Sequence, residues 1–584
     1  MLSNAFRKNL APLSSPLFSS FLSQFTFVRS SGEELSIPGR SGETVKELLE
    51  NSDAGVSIGV CGGDLACGQC QVYVDSSWMD KLPAIADDEE ETLGIAFKRK
   101  KQSRLSCALK WTDEWDGLVL HEAPLKPKKT KGKKPKKSSS TPSDKPNAST
   151  APNNATSPTS PPVCLKEQAG QKVSDKVYCI GAVDWSLRDF HDFQVREGGT
   201  YNSYFIKDDF VAVIDPVKYT FADGWVERIK SLLQGSGKKE PDFIIVNHAE
   251  PDHSSGIVSF MRAFEGRPTV VCNKLCKESL EKLYPEAHPS SWNYRIVKSG
   301  DELKLSKDRT LHFLNTPMVH WPESMFTYDA KDGILFSMDA FGQHYPSSAR
   351  FDDEVPSIEH VLQDAKTYYA NILFRLSKPI KATLKKTLSS FEGLQVIAPS
   401  HGVVWRKYVN EILQKYVEWV SHKPSNKVVI AYDTMWHATE KMAESIYDGA
   451  VLADTSCDVR LMNIRSFHHT DIVTEMLDAP VLALGCPTMH HGMMPAMGGL
   501  ISYLKGLLPP GHGKMGCAFG SFGWEPTASN EIESAMKSFG IEIVHPAIDM
   551  QFTPTQESIG DLRQIGVELA NKAKKAASDF QLSF

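Results

Sequence analysis

Residues 123–163 cannot be packed into any core, because they run through KPKKTKGKKPKK and then SSSTPSDKPNASTAPNNATSPTSPP. Such a composition buries too little apolar surface to offset the entropy lost on ordering, so the chain must fold as separate bodies on either side. As a flexible coil the segment has a root-mean-square span of roughly 35 Å, enough for a small domain to visit several faces of its neighbour. Its lysines could form a patch for nucleic acid or anionic membrane. No aromatic residue is interleaved with them, however, which favours a solvated tether. Eight lysines fall between Lys126 and Lys137, so the net charge of −6 understates how acidic the rest of the chain is. That acidity argues against a nucleic-acid partner.

At about 150 residues per domain, 584 residues point to three or four domains. Hydrophobic residues make up 41% and charged residues 23%, and no run approaches the ~18 apolar residues of a membrane span. Insertion into a membrane is therefore excluded as an expectation. Eleven cysteines are too sparse for a disulfide scaffold, and four of them sit at metal-ligand spacing, which favours a reducing compartment.

Residues 1–32 carry Arg7, Lys8 and Arg29, eight serines, the apolar Leu2, Phe6, Leu10, Leu13 and Phe18, and no acid. This reads as a mitochondrial-type targeting peptide for the matrix of a mitochondrion or a related, hydrogenosome-like organelle. A secretory signal fits less well, because Pro12, Pro16, Ser19, Ser20 and Ser23 interrupt the apolar stretch. The expected organisation is then a small domain over 33–122, the linker 123–163, and larger domains over 164–425 and 426–584.

In the small domain Cys61, Cys67 and Cys70 form C-x5-C-x2-C in VCGGDLACGQCQVYV, and Cys107 follows in RLSCALK. Three thiolates on one loop bearing Gly62, Gly63 and Gly68 suit a 2Fe–2S cluster, since glycines let the backbone wrap closely around the sulfurs. Structural zinc more commonly uses two short C-x2-C knuckles. These residues resemble an adrenodoxin-type ferredoxin, a β-grasp fold. The resemblance implies that the acidic run Asp87, Asp88, Glu89, Glu90 and Glu91 is presented to a ferredoxin reductase or another low-potential donor. On charge alone, the run could be only a solvated helix start.

From 164 to 425, apolar runs such as FVAVIDPVK, PDFIIVNH and LQVIAPSH alternate with helical patterns such as VLQDAKTYYANILFRL, the sign of an α/β domain. Ligand-bearing residues follow the apolar runs: His248, Glu250, Asp252 and His253 in NHAEPDHSSG, His320 in TPMVHWPE, Asp339 in FSMDAFGQH and His401 in APSHGVVW. Seven nitrogen or oxygen donors exceed what one metal needs, and a carboxylate between two ions can bridge them. The stretch resembles the metallo-β-lactamase fold, an αββα sandwich. Its hydrolases present H-x-H-x-D-H to zinc, whereas here Glu250 replaces the second histidine. A carboxylate makes the site harder and more anionic, better matched to iron. The full pattern, with GTYNSYFI, HWPESMF and DAFGQH around it, resembles the flavodiiron proteins. That resemblance implies one iron on His248, Glu250 and His320, another on Asp252, His253 and His401, and Asp339 as the bridge.

Residues 426–584 show five strand candidates (KVVIAYD, DVRLMNI, APVLALGC, KMGCAFG, IEIVHPA), each expected to lead into a helix, the doubly wound, flavodoxin-like α/β pattern. The first loop carries Thr434, Met435, Trp436, His437, Ala438 and Thr439 into a helix N-terminus, a seat for phosphate. Pro487, Thr488, Met489, His490, His491 and Gly492 follow the third strand, and Ser521, Phe522, Gly523 and Trp524 follow the fourth. Trp436 and Trp524 can flank an aromatic ring, or else pack in the core. Together the loops resemble those of an FMN-binding flavodoxin domain, with His437 where free flavodoxins commonly have glycine.

The chain thus reads as a fused electron path from 2Fe–2S through FMN to a diiron centre that reduces O2 to water or NO to N2O. The family resemblance further implies a head-to-tail homodimer or a dimer of dimers, each FMN facing the partner's irons. A zinc hydrolase and a non-catalytic redox or gas sensor are the alternatives.

Overall fold

The strand Gln24–Val28 shows how the first domain begins: in QFTFV, Phe25 and Phe27 are buried while Gln24 faces solvent. The small domain therefore starts ahead of residue 33. Aromatic residues that resemble part of a leader alternate into a sheet core instead. The computed structural model describes residues 23–52, 68–94, 96–124, 170–234, 236–582 and 584. The rest of the expected leader, most of the linker, Cys61 and Cys67 lie outside the described residues.

The chain divides into two units, Met1–Asn154 and Ala155–Phe584. In the first, Gln24–Val28 pairs antiparallel with Glu34–Pro38 and parallel with Val119–Glu122, and Gln71–Val74 and Ser103–Leu105 complete a five-stranded sheet. The helix Val45–Glu50 is fixed by a capping box between Thr44 and Glu47 and sends Val45, Leu48 and Leu49 into a core shared with Phe25, Phe27 and Trp111. A mixed sheet crossed by one helix is the expected β-grasp.

In the second unit a seven-stranded sheet faces a five-stranded one. The first sheet's strands are apolar on both sides because both sides are covered. Tyr204 and Ile206 point into the layer between the sheets with Phe313 and Phe336, while Phe205 joins Trp225 and Phe260 beneath the helices Ala222–Leu233 and Ile257–Ala263. The second sheet is covered by Ile358–Tyr368, Ser377–Ser390 and Val409–Val420. This is the expected αββα sandwich. The run VLQDAKTYYANILFRL is not one straight helix, since a π-helical turn, Tyr369–Leu373, follows Ile358–Tyr368.

The C-terminal domain docks on that turn. Asn371 Nδ2 donates to Thr470 O and Thr474 Oγ1, both at 3.2 Å, and one apolar core runs from Tyr369 and Leu373 through Ile472, Met476 and Leu504. Its parallel strands stand in the order Asp458–Asn463, Lys427–Tyr432, Val481–Gly485, Met515–Phe522, the flavodoxin-like arrangement. The fifth candidate departs from expectation. IEIVHPA yields only Glu542–Ile543, and Ile548–Gln551 takes over the pairing with Met515–Phe522 before any helix follows. Pro546, which has no N–H for the ladder, lies between the two pieces.

Candidate metal centre and flavin cradle

Strand ends and one inter-strand loop deliver all seven expected His, Asp and Glu donors to one place. The segment after Phe243–Ile245 carries His248 and Glu250 and turns into the short helix Pro251–Ser254 with Asp252 and His253; Asp339 follows Ile334–Met338 and His401 follows Val396–Pro399. His320 comes from the loop between Thr310–Asn315 and Met325–Asp329. Two clusters form, His248, Glu250, His320 and Asp339 in one and Asp252, His253 and His401 in the other.

Asp339 joins them. Its Oδ2 lies 3.3 Å from His248 Nε2 and 3.1 Å from His320 Nε2, while its Oδ1 lies 2.7 Å from His253 Nε2 and 3.3 Å from His401 Nε2. Glu250 Oε2 completes the first group at 3.1 Å from His320 Nε2, and Asp252 Oδ2 the second at 3.3 Å from His401 Nε2. Three carboxylates and four imidazoles are thus turned inward around two points, with one carboxylate shared.

The residues fit cations. Both carboxylate oxygens of Asp252 and His401 Nε2 are buried without a hydrogen-bond partner. Groups of this kind are costly to bury unless something binds them. Burial alone would push the His248 and His320 imidazoles down. The facing carboxylates outweigh it and raise both to about 10, and His253 to about 9. Against the opposing effect of burial, the same imidazoles hold the Glu250 and Asp339 carboxyls well below their ordinary range. The pocket carries an excess of negative charge for which protons substitute when no metal is bound.

Two supporting contacts escaped the sequence reading. Glu323 Oε1 accepts from His248 Nδ1 at 2.8 Å and from the Ala249 amide at 3.1 Å, and the Thr200 carbonyl accepts from His401 Nδ1 at 2.6 Å. Each directs Nε2 into the cluster. The acid of HWPES, three residues after His320, is a signal that could have found Glu323; a backbone carbonyl leaves no signal. His191 was also missed, and its Nε2 reaches Glu250 Oε1 at 3.1 Å from an imidazole that is largely exposed. His344, buried with neither ring nitrogen hydrogen-bonded, packs 5.1 Å from the His401 ring.

The flavin loops meet at a different kind of site. Thr439 Oγ1 and Ser521 Oγ lie 2.8 Å apart, and the Thr488 amide donates to Ser521 O at 2.9 Å, so the three loops form one surface. The helix Ala438–Ala453 has no side-chain cap. His437 stands at its N-cap with φ 64, a left-handed conformation that glycine adopts most readily. Thr434 Oγ1 is buried without a partner, which suits a phosphate oxygen. Trp436 and Trp524 are each 87% exposed, which excludes a core-packing role for either. Thr488 Oγ1 accepts from the amides of Thr527 and Ala528, so this hydroxyl holds the next helix. Met489–Gly492 closes a tight turn in which His490 and His491 take φ 50 and 60.

In the first unit Cys70 and Cys107 come together, Sγ to Sγ 3.1 Å, both buried. The acidic helix Asp87–Leu93 has a structural role. Glu89 is buried and clamps Arg104 through two hydrogen bonds of 2.8 Å, because an acid on the inner side of an amphipathic turn needs a partner.

Three family models match in order: "2Fe-2S iron-sulfur cluster binding domain" over 28–112, "ODP family beta lactamase" over 200–402 and "Flavodoxin" over 430–564. A nitric oxide reductase of Moorella thermoacetica is 36% identical over 404 residues, covering 68% of this chain and 97% of that protein. The chain belongs to the flavodiiron protein family. Rubredoxin-oxygen oxidoreductase of Megalodesulfovibrio gigas is 33% identical, covering 70% of this chain and 99% of its own length. The crystal structure of the flavodiiron protein from Giardia intestinalis aligns with a TM-score of 0.65 at 34% identity, over 70% of this chain and 98% of that one. These relatives cover about 70% of the chain, and the 2Fe–2S model matches ahead of the other two. As a flavodiiron protein the chain is an oxidoreductase that uses FMN, a diiron site and a 2Fe–2S cluster.

Proposed function

We propose that this flavodiiron protein reduces a small diatomic gas, O2 to water or NO to N2O, with His248, Glu250 and His320 holding one iron, Asp252, His253 and His401 the other, and Asp339 bridging. The observation that carries this reading is the division of Asp339, with one oxygen against each imidazole group. When bound, the irons supply the site of gas reduction, FMN stores two electrons and the cluster passes one at a time. Glu323 and the Thr200 carbonyl keep the protons of His248 and His401 on Nδ1, leaving Nε2 free to coordinate. Tyr201, Phe190 and Tyr368 wall His401, and Trp321 stands edge-on to His248 at 5.1 Å, so water is largely excluded from the cluster. His191, exposed and in contact with Glu250, is placed to pass protons between solvent and the pocket. The test is metal analysis with anaerobic turnover. Two irons per chain beyond the cluster, with consumption of O2 or NO, support the reading; zinc in their place with no gas consumption refutes it.

Electron entry and assembly belong to the same proposal. Cys61, Cys67, Cys70 and Cys107 hold the cluster, and a ferredoxin reductase or another low-potential donor reduces it. The exposure of Trp436 and Trp524 leaves the flavin cradle open on one side, which a second copy of the chain would cover in a head-to-tail dimer. A mixed dimer of a Thr434→Ala, Thr439→Ala chain and a His248→Ala, Glu250→Ala chain should recover part of the activity that both homodimers lack. A fully active monomer at assay concentration would end this part of the proposal. For the cell, we propose an organelle-type leader confined to residues 1–22, testable by the location of a fusion that lacks them.

A further inference from the structure

The strand Ala182–Asp184 and the helix Ala222–Leu233 border a pocket of about 400 Å3 that none of the seven metal donors and none of the flavin loops lines. Gly181, Thr220, Phe221 and Gly224 form part of its wall, and two guanidiniums, Arg228 and Arg350, complete it; no lining residue is acidic. Arg228 Nε donates to the Ile180 carbonyl at 2.8 Å. Arg350 Nη1 is buried with no hydrogen-bond partner. Among the described residues neither of these half-buried guanidiniums is in an ion pair, although the chain pairs its fully buried arginines closely, Arg104 with Glu89 and Arg309 with Asp208 and Asp329.

This arrangement is unfavourable by itself. Two like charges share one partly desolvated pocket, and a buried N–H donor is left unused. Burial, and next the neighbouring Arg350, pull the Arg228 pKa below its ordinary value. The helix start beside them adds positive potential, since Phe221 at its N-cap contributes no side-chain hydrogen bond, and the one acid of its first turn, Asp223, lines a separate groove. A ligand that removes all three penalties must be an anion with several acceptor oxygens. A single carboxylate would leave one guanidinium uncompensated, whereas a dianionic tetrahedral oxyanion offers a face to each fork. The pocket is larger than a bare phosphate, so it also accommodates a phosphoryl group with a small substituent.

We propose that this pocket is a binding site for a dianionic phosphoryl group, as inorganic phosphate or a small phosphate ester, held between Arg228 and Arg350. It is separate from the FMN phosphate seat and independent of which gas the diiron site reduces. The test is calorimetric titration of the full chain loaded with FMN and iron, so that the flavin's own phosphate seat is filled. Inorganic phosphate, glycerol 3-phosphate and acetate are titrated at equal ionic strength in chloride buffer. Saturable binding of a phosphate species is expected, with at least a ten-fold loss of affinity in Arg350→Gln at unchanged FMN and iron content. Arg350 Nη1 has no hydrogen bond to lose, and the backbone bond from the Val404 amide to the Arg350 carbonyl is kept in this variant. Arg228→Lys, which keeps a charge near the Ile180 carbonyl, should weaken binding less. Tighter binding of glycerol 3-phosphate identifies an ester as the ligand class, and tighter binding of phosphate identifies the free ion. No saturable binding, acetate binding as tightly as phosphate, or phosphate binding that survives Arg350→Gln would each overturn the proposal; the last would place the anion at the irons or another surface.

Discussion

The diiron pocket and the flavin cradle sit at strand ends of neighbouring domains, yet they are built on opposite terms. In the pocket, His248, His253 and His401 are fully buried, and their polar contacts are to other donors or to supporting groups such as Glu323. In the cradle, Trp436 and Trp524 project into solvent and the loops are held mainly by one another. The difference follows from the ligands. Multivalent cations are bound by charge at short range, so dense buried carboxylates are affordable only where ions will sit. A flavin is bound by its phosphate and by one ring face, and the other face must stay reachable for electron transfer. The pocket is therefore specified by seven residues, the cradle by the shape of three loops.

That contrast predicts different consequences for single changes. Asp339→Ala should have the largest effect, reducing the iron held beyond the cluster to one ion per chain or fewer and gas reduction by about 100-fold or more, because two cations then repel without a bridge. Iron analysis and turnover check it; full iron occupancy with normal activity would make Asp339 a loop residue only. Glu323→Gln should come next, since it preserves shape but removes the charge that fixes His248 Nδ1–H, weakening metal affinity or activity by about 10–100-fold. In the cradle, Thr434→Ala removes one acceptor–donor group for the phosphate and should weaken FMN by about ten-fold, equivalent to ~1.4 kcal/mol, in a fluorescence titration. Trp436→Ala should be smallest, costing about 0.5–1.5 kcal/mol of flavin affinity with no change in thermal stability, because the side chain is 87% exposed. If instead Trp436→Ala unfolded the domain while Asp339→Ala kept its irons, the contrast would be reversed.

The pocket was the more legible of the two for the same reason. Each of its donors follows an apolar β-run, and the period of a strand buried on both faces, as in Ile334–Met338 before Asp339, marks where a run ends and a ligand-bearing loop begins. What a sequence does not display is contact made at long separation. His191 reaches Glu250 across 59 residues and Glu323 reaches His248 across 75, and neither spacing is a motif. The start of the small domain was misread because a five-residue strand, Gln24–Val28, has too few residues for its alternation to stand out beside a basic, serine-rich leader. The cradle's tryptophans illustrate the converse difficulty. An aromatic residue in a loop has the same letter whether it packs inward or flanks a ligand, and only its exposure decides.

The central claim is that reducing equivalents held in the cradle leave through the irons. Rapid mixing of the anaerobically reduced protein with O2, and separately with NO, while following flavin absorbance, tests it directly when the parent is compared with Asp339→Ala loaded with FMN. The account predicts that the flavin of the parent is reoxidised with consumption of at least one gas, and that in the variant, with FMN content unchanged, this reoxidation slows by about 100-fold. Equal rates of flavin reoxidation in the two proteins would show that the gas takes electrons at the flavin itself, and would contradict the assignment of the diiron pocket as the site of reduction.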